Sequence, residues 1–266
     1  MRSRSGSATK HETSFRLARG GLVRFYRGEW REAREHLERA SETSRAIGPM
    51  FLSAWAPMYL GALCMAEGKY EDAARHLEEA RNLAEKVRWP TSLRYEMSLR
   101  AELHILEGRP EDAVALLEPL AEASEHDWVY ATVLLTTLAW GRLETGDEKE
   151  AEKLADRATE EAARMKNWVD MVGVLRVKGM ALARQSREEE ASAAFEEALS
   201  LARSMPYPYA EARVLREYGT LHVHKEAIDL ARKDLSAALG IFRRLGAGRD
   251  VEEVERALGA IGLRKA

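Results

Sequence analysis

An alanine recurs at Ala33, Ala73, Ala113, Ala151, Ala191 and Ala231, in steps of 40, 40, 38, 40 and 40 residues, and a small residue stands twelve positions ahead of each. Those partners are Gly21, Gly61, Ala101, Ala139, Gly179 and Gly219. Two small-residue series held in phase through nearly all of a 266-residue chain mark a repeat array. A fixed period near forty residues means a solenoid, whose units contact only their neighbours and share one continuous core. The length is therefore read as one elongated unit rather than two globular domains.

Each unit reads as two helices joined by a tight turn. Gly28, Gly68, Gly108 and Gly146 stand five residues before their alanines, and Ser186 and Glu226 hold that place in the last two units. Glycine there permits the left-handed backbone that ends one helix so that the next starts at once. In the third turn, Gly108, Arg109 and Pro110, the proline suits a first helical position because its missing N–H would have been unpaired anyway. The second helix then carries the alanine, a larger apolar residue four on and a small one three beyond, as in Ala33, Leu37 and Ala40, or Ala191, Phe195 and Ala198. Steps of four and three keep all three on one helical face. The small members let two backbones approach while the larger one fills the gap.

This pattern resembles the tetratricopeptide repeat, with its small residue at motif position 8, alanine at 20, bulky apolar residue at 24 and alanine at 27. The resemblance covers about residues 13–246. It departs from the family in a period longer than about 34 residues and in lacking the usual proline at the end of the second helix, so lengthened helices are expected. Motif position 7 is Gly20, Leu60, Arg100, Leu138, Lys178 and Tyr218, and position 11 is Arg24, Cys64, His104, Arg142, Leu182 and His222, where the family has leucine and an aromatic. The expected architecture is all-α: a right-handed α-solenoid of six units (about 13–48, 49–88, 89–126, 127–166, 167–206 and 207–246) behind a flexible lead at 1–12. A capping helix from Asp250 to Leu263 and a tail fill 247–266.

An aromatic recurs near each junction between units: Phe51, Trp89, Trp128, Trp168, then Tyr207 with Tyr209. It reads as a staple packing one unit on the next, given the area an aromatic buries. Pro57 and Pro119 fall inside expected helices and should kink them.

Composition narrows the function. Lysine and arginine number 41 against 44 aspartates and glutamates, a net charge of -3, which argues against a nucleic-acid partner because such binders neutralise phosphates. A lone cysteine, Cys64, forms no intrachain disulfide and makes a reducing, cytoplasmic setting the default expectation. No apolar run approaches a membrane span. His222 and His224 are two apart and point away from each other on a helix, so no metal pair is expected. No phosphate-binding glycine loop and no catalytic constellation is apparent, and neither a cofactor nor an enzymatic activity is expected.

The tetratricopeptide resemblance implies a concave surface lined by the first helix of each unit, through motif positions 2, 5, 9, 12 and 13. Carried onto this chain, the early units supply Phe15, Leu22, Phe25, Tyr26, Trp55, Met58, Met65 and Tyr95, the fourth adds Trp140, and the last two supply Arg176, Arg184, Arg213, Arg216 and His224. The groove is thus aromatic at one end and basic at the other. That polarity suits a protein or peptide with an apolar anchor and an acidic end, arginine being the residue that holds carboxylates in a fork. The competing reading makes the aromatics inter-helix core and pairs the arginines with Glu211, Glu217 and Glu144. The function expected is a non-catalytic docking scaffold, in the style of the repeat regions of large bacterial regulators; the alternatives are a small-molecule-sensing module of a larger signalling protein, or a self-association module giving a homo-oligomer.

Overall fold

A computed structural model of the chain describes residues 3–47, 53–123 and 130–263. Among these, every regular element is an α-helix: α1 (Ser3–Arg27), α2 (Trp30–Ile47), α3 (Trp55–Ala66), α4 (Tyr70–Lys86), α5 (Pro90–Leu106), α6 (Pro110–Ala123), α7 (Ala131–Glu144), α8 (Glu148–Met165), α9 (Trp168–Arg184), α10 (Glu188–Ser204), α11 (Pro208–His224), α12 (Ile228–Leu245) and α13 (Gly248–Leu263). The helices pair as six hairpins followed by a single closing helix. α1 begins well ahead of residue 13, inside the stretch expected as a flexible lead.

Each hairpin turns where the sequence places its turn. Gly28, Gly68, Gly108 and Gly146 have φ of 77°, 79°, 77° and 85°, and Ser186 and Glu226 adopt the same left-handed backbone at 60° and 57°. The last two turns thus hold a conformation that costs a side-chain-bearing residue roughly 1 kcal/mol. Behind every turn the alanine series is completely buried, as are Leu37, Leu77 and Leu235. A β-carbon on Gly21 would lie 2.6 Å from Leu37 Cγ, one on Gly179 2.5 Å from Phe195 Cε1, and one on Gly219 2.7 Å from Leu235 Cγ. Glycine therefore sets how closely the two helices of a hairpin approach, and the bulky residue of the second helix fills the space it leaves. Phe195, 1% exposed, gains about 2–3 kcal/mol from that burial.

The outer helices α2, α4, α8 and α12 bury one alanine-and-leucine stripe and present charge on the rest, whereas α3 and α7 are buried nearly all round. The first helices α1, α3, α5, α7, α9 and α11 each touch the next, and α11 also touches α1. The array therefore curls until its ends meet. Tyr26 of the first unit packs edge-on against Tyr207, with ring centroids 4.9 Å apart, and Trp30 against Tyr209 at 5.3 Å. A β-carbon on Gly28 would meet Leu245 Cδ2 at 2.6 Å and Pro208 Cγ at 2.9 Å. In the second unit, the Arg249 guanidinium of α13 lies 5.0 Å above the Tyr70 ring.

The structure alters two expectations. Tyr207 and Tyr209 do staple units, but they join the last to the first. Trp168 is no staple: it is 47% exposed, because the αL residue Lys166 and the cap Asn167 start α9 so that its first side chain points to solvent. Trp89 is half-buried, and Phe51 and Trp128 lie outside the described residues. Pro57 falls in the first turn of α3, where its N–H would have had no helical partner, so no bond is lost. Pro119 lies inside α6, which ends four residues later at Ala123.

Candidate functional site

The inner helices α7, α9 and α11, with α5, line a half-open cavity of 130 Å³ whose wall includes Glu102, Val133, Trp140, Asp170, Val172, Arg176, Tyr207 and Arg213. Two residues expected in the basic part of the groove, Arg176 and Arg213, come together here with Trp140. The guanidiniums of Arg176 and Arg213 lie 4.7 and 5.1 Å from the Trp140 ring centroid, an arrangement in which the ring's electron-rich face stabilises both cations.

The partners of the two arginines differ. Arg213 Nη1 donates to Glu102 Oε1 at 2.9 Å, while its Nη2 is buried without a hydrogen-bond partner. Burial alone would lower the Arg213 pKa, but Glu102, Tyr209 and Asp250 together outweigh it and raise it. Arg176 is 5% exposed; its Nη1 donates to Met180 Sδ at 3.2 Å, and the nearest carboxylate, Glu217 Oε1, is 3.7 Å away. Glu217 in turn accepts from Arg216 Nη2 at 2.9 Å. Burial opposes ionisation of Glu217, yet Arg216 and Arg176 together hold its carboxyl below the usual range. Arg176 is pushed down to about 9, by burial first and then by the neighbouring Arg213 charge. It stays charged at neutral pH while owning no hydrogen-bonded carboxylate.

Asp170 meets the same cavity from the first turn of α9. Its Oδ2 accepts from Asn167 Nδ2 at 2.6 Å, and its backbone N–H donates to Asn167 Oδ1, the two residues capping the helix reciprocally. Burial pushes its carboxyl up to about 6 against that hydrogen bond. Its negative charge in turn helps to raise the phenols of Tyr26, Tyr59, Tyr95, Tyr130 and Tyr207.

The remaining expected groove residues lie elsewhere. Met58 is fully buried, and Phe25, Met65 and Tyr95 are buried as well. Phe25 packs on Tyr26 and Trp30, Tyr95 stacks on Tyr130, and Leu22 packs against the buried cluster that holds Leu37, Met58 and Leu77. Phe15 and Trp55 are half-buried, with ring centroids 5.9 Å apart at the start of the array. Met65, Arg184 and Arg216 share with Trp140 a second, wider cavity of 520 Å³. There Arg216 donates to Asp250 and Glu253 at 2.7 and 2.8 Å, and Arg184 to Leu143 O and Glu144. His224 is exposed at the end of α11. The aromatics are thus largely inter-helix core, and Glu217 and Glu144 are paired with arginines as the competing reading had them.

Glu102 escaped the sequence reading although the signal was present. It follows Ala101 directly and so occupies the repeat place of Leu22 and Trp140, both of which were assigned to the inner surface. Asp170 shares a repeat place with Tyr130, ahead of the first motif position, where the motif gives no signal.

Among the described residues no group of three or more His, Cys, Asp and Glu is placed to hold a metal ion, and no helix is long and apolar enough to cross a membrane. Cys64 is buried, with burial raising its thiol pKa. His222 meets Asp234 at 2.9 Å between α11 and α12.

A search of curated proteins finds no match to this chain. A family model, the C-terminal domain of suppressor of spindle checkpoint defect 1, matches residues 20–128. Among solved structures, the chain is similar to Rap protein complexed with competence and sporulation factor (TM-score 0.63, 14% identity, covering 95% of this chain and 75% of that one). It is similar to NprR in complex with its cognate peptide NprX (TM-score 0.60, 14% identity, 93% and 72%). A third likeness is to the APC/C hetero-tetramer Cut9–Hcn1 (TM-score 0.61, 16% identity, 91% and 43%), of which this chain spans less than half the length. Left-handed turns at the foreseen places, small residues seated under each buried leucine or phenylalanine, inner helices in succession and these likenesses agree: the chain is an all-α solenoid of the tetratricopeptide-repeat type.

Proposed function

We propose that the protein is a non-catalytic scaffold that binds a protein or peptide through its inner surface, the partner placing an acidic group against Arg176. The observation that carries this reading is the state of that arginine: buried, stacked on Trp140, and 3.7 Å from a carboxylate already hydrogen-bonded by Arg216. A buried cation that shares its carboxylate with Arg216 is only partly compensated, which costs stability, and a carboxylate entering the cavity would complete it with charge-assisted hydrogen bonds. The Rap and NprR structures, whose bound factor and cognate peptide are part of those complexes, support a binding role for this fold. Because the first and last units touch, the reading assigns the partner a short segment and not an extended strand along all six units.

The test is selection from a displayed random-peptide library on the intact chain, repeated with Arg176→Met. Enriched peptides sharing an acidic position, and their loss on Arg176→Met with helicity retained, are expected; enrichment indifferent to Arg176 contradicts the reading. Arg213 is unsuitable for charge reversal, because a glutamate there would face Glu102. A second reading, a small-molecule-sensing module, is favoured by the 130 Å³ cavity between the inner helices and predicts ligand binding with no peptide enrichment.

A further inference from the structure

Of the carboxylates lining the cavity, Glu102 is already paired with Arg213, whereas Asp170 is paired with no arginine. On one side Arg176 and Arg213 flank Trp140, and Arg213 Nη2 is buried with no partner. On the other, Asp170 spends Oδ2 on the Asn167 cap, while Oδ1 accepts no hydrogen bond from any described residue. Although all three residues face one void, Asp170 makes no ion pair with either arginine. The rest of the lining is mixed: Val133, Val169, Val172, Val214 and Ala210 with the hydroxyl-bearing Thr136 and Thr137. Asp170 and Arg176 are six residues apart on α9, about 9 Å along its axis, so a carboxylate and a guanidinium reaching inward from those positions leave room for one small molecule between them. The volume, 130 Å³, approaches the ~150 Å³ that admits a single-ring guest in a protein core.

We infer that this cavity is a binding site for a zwitterionic α-amino acid, its ammonium on Asp170, its carboxylate between Arg176 and Arg213, and its side chain against the valines. A simple anion would leave Asp170 facing it across the cavity, and a simple cation would meet two guanidiniums. A molecule carrying both charges a few bonds apart satisfies both walls and completes the unpaired Nη2. Tyr207 and Trp140 complete the lining with aromatic rings. The inference rests on the inner cavity being the binding surface and adds the chemical class of its occupant.

The experiment is a thermal-shift screen of the intact chain with each of the twenty α-amino acids at up to roughly 10 mM, ample for a millimolar site, followed by calorimetric titration of the best with its N-acetyl and carboxamide derivatives. At least one amino acid should bind saturably, and either derivative should bind at least about tenfold more weakly, a loss of 1.4 kcal/mol or more. Asp170→Asn should weaken the free amino acid and leave the N-acetyl form unchanged. Because the derivatives alter the ligand alone, the result does not depend on a variant folding. No binding by any of the twenty overturns the inference, and so does an N-acetyl form that binds as well as its parent. If the amino acids fail while library peptides still require Arg176, the zwitterion site falls and the scaffold reading stands; if an amino acid binds while no peptide requires Arg176, the cavity is a small-molecule site and the scaffold reading falls.

Discussion

Arg213 of α11 and Glu102 of α5 stand 111 residues apart in sequence and form a 2.9 Å ion pair inside the ring of inner helices. Their side chains are 16% and 23% exposed, so the pair is shielded enough for its loss to matter. Glu102→Ala leaves Arg213 charged and unpaired and should cost about 3 kcal/mol in urea unfolding. The double variant Arg213→Met with Glu102→Met should recover most of that loss. Equal destabilisation by the single and double variants would show the pair to be incidental.

Arg176→Met should behave in the opposite sense. Removing it leaves no carboxylate stranded, since Glu217 keeps Arg216, and relieves a buried cation pressed by Arg213. Unfolding free energy is expected to rise by about 1 kcal/mol, as for active-site groups retained at a cost in stability. A loss of similar size would mean that Arg176 is a structural member of the network.

Asp170 gives a pH signature. Its carboxyl goes from an ordinary value of 3.8 up to about 6 on folding, so the native state binds the proton more tightly than the unfolded chain. The stability this contributes is fully present below the unfolded value and is lost as pH rises through 6. Asp170→Asn, which can still accept from Asn167, should therefore match the wild type near pH 4 and exceed it by on the order of 1–3 kcal/mol above pH 7. Melting curves across that range check it; a constant difference at all pH values would contradict it.

The small-residue positions separate packing from propensity. Gly179→Ala forces a β-carbon within 2.5 Å of the Phe195 ring and should destabilise by about 1–3 kcal/mol. Gly240, interior to α12, has nothing within 4 Å of its would-be β-carbon, so Gly240→Ala should stabilise by roughly 0.5–1 kcal/mol. Ser186→Gly and Glu226→Gly, which relieve left-handed turns, should each stabilise by a few tenths of a kcal/mol to about 1. Urea unfolding of the four variants reads all of this, and destabilisation by Gly240→Ala would be the discordant result.

The hairpins were legible because their determinants are local. A turn glycine and the alanine five residues on act through one helix end, and the spacing of Gly179, Ala191 and Phe195 records a contact within one unit. What the sequence hid is long-range. Nothing in the repeat distinguishes Tyr207, which meets Tyr26 across the closure, from a staple on the adjacent unit, because the curvature summed over six units is not written in any one of them. The same blindness hid the site: Glu102 and Arg213 belong to different units, and only closure makes them partners. Trp168 misled for a local reason, an αL residue and an asparagine cap that swing the first residue of α9 outward. The helical start at Ser3 shows a packed helix extending into polar sequence, since propagation is far cheaper than nucleation.

All of this depends on the ends of the array meeting, and a distance across that contact tests it most directly. Spin labels at Arg27→Cys and Arg244→Cys, both exposed and beside the Gly28–Leu245 contact, can be measured by pulsed electron resonance in a Cys64→Ala background. The account predicts one narrow distance comparable with two packed helices, roughly 20 Å. A broad distribution centred at twice that value or more would mean an open ribbon.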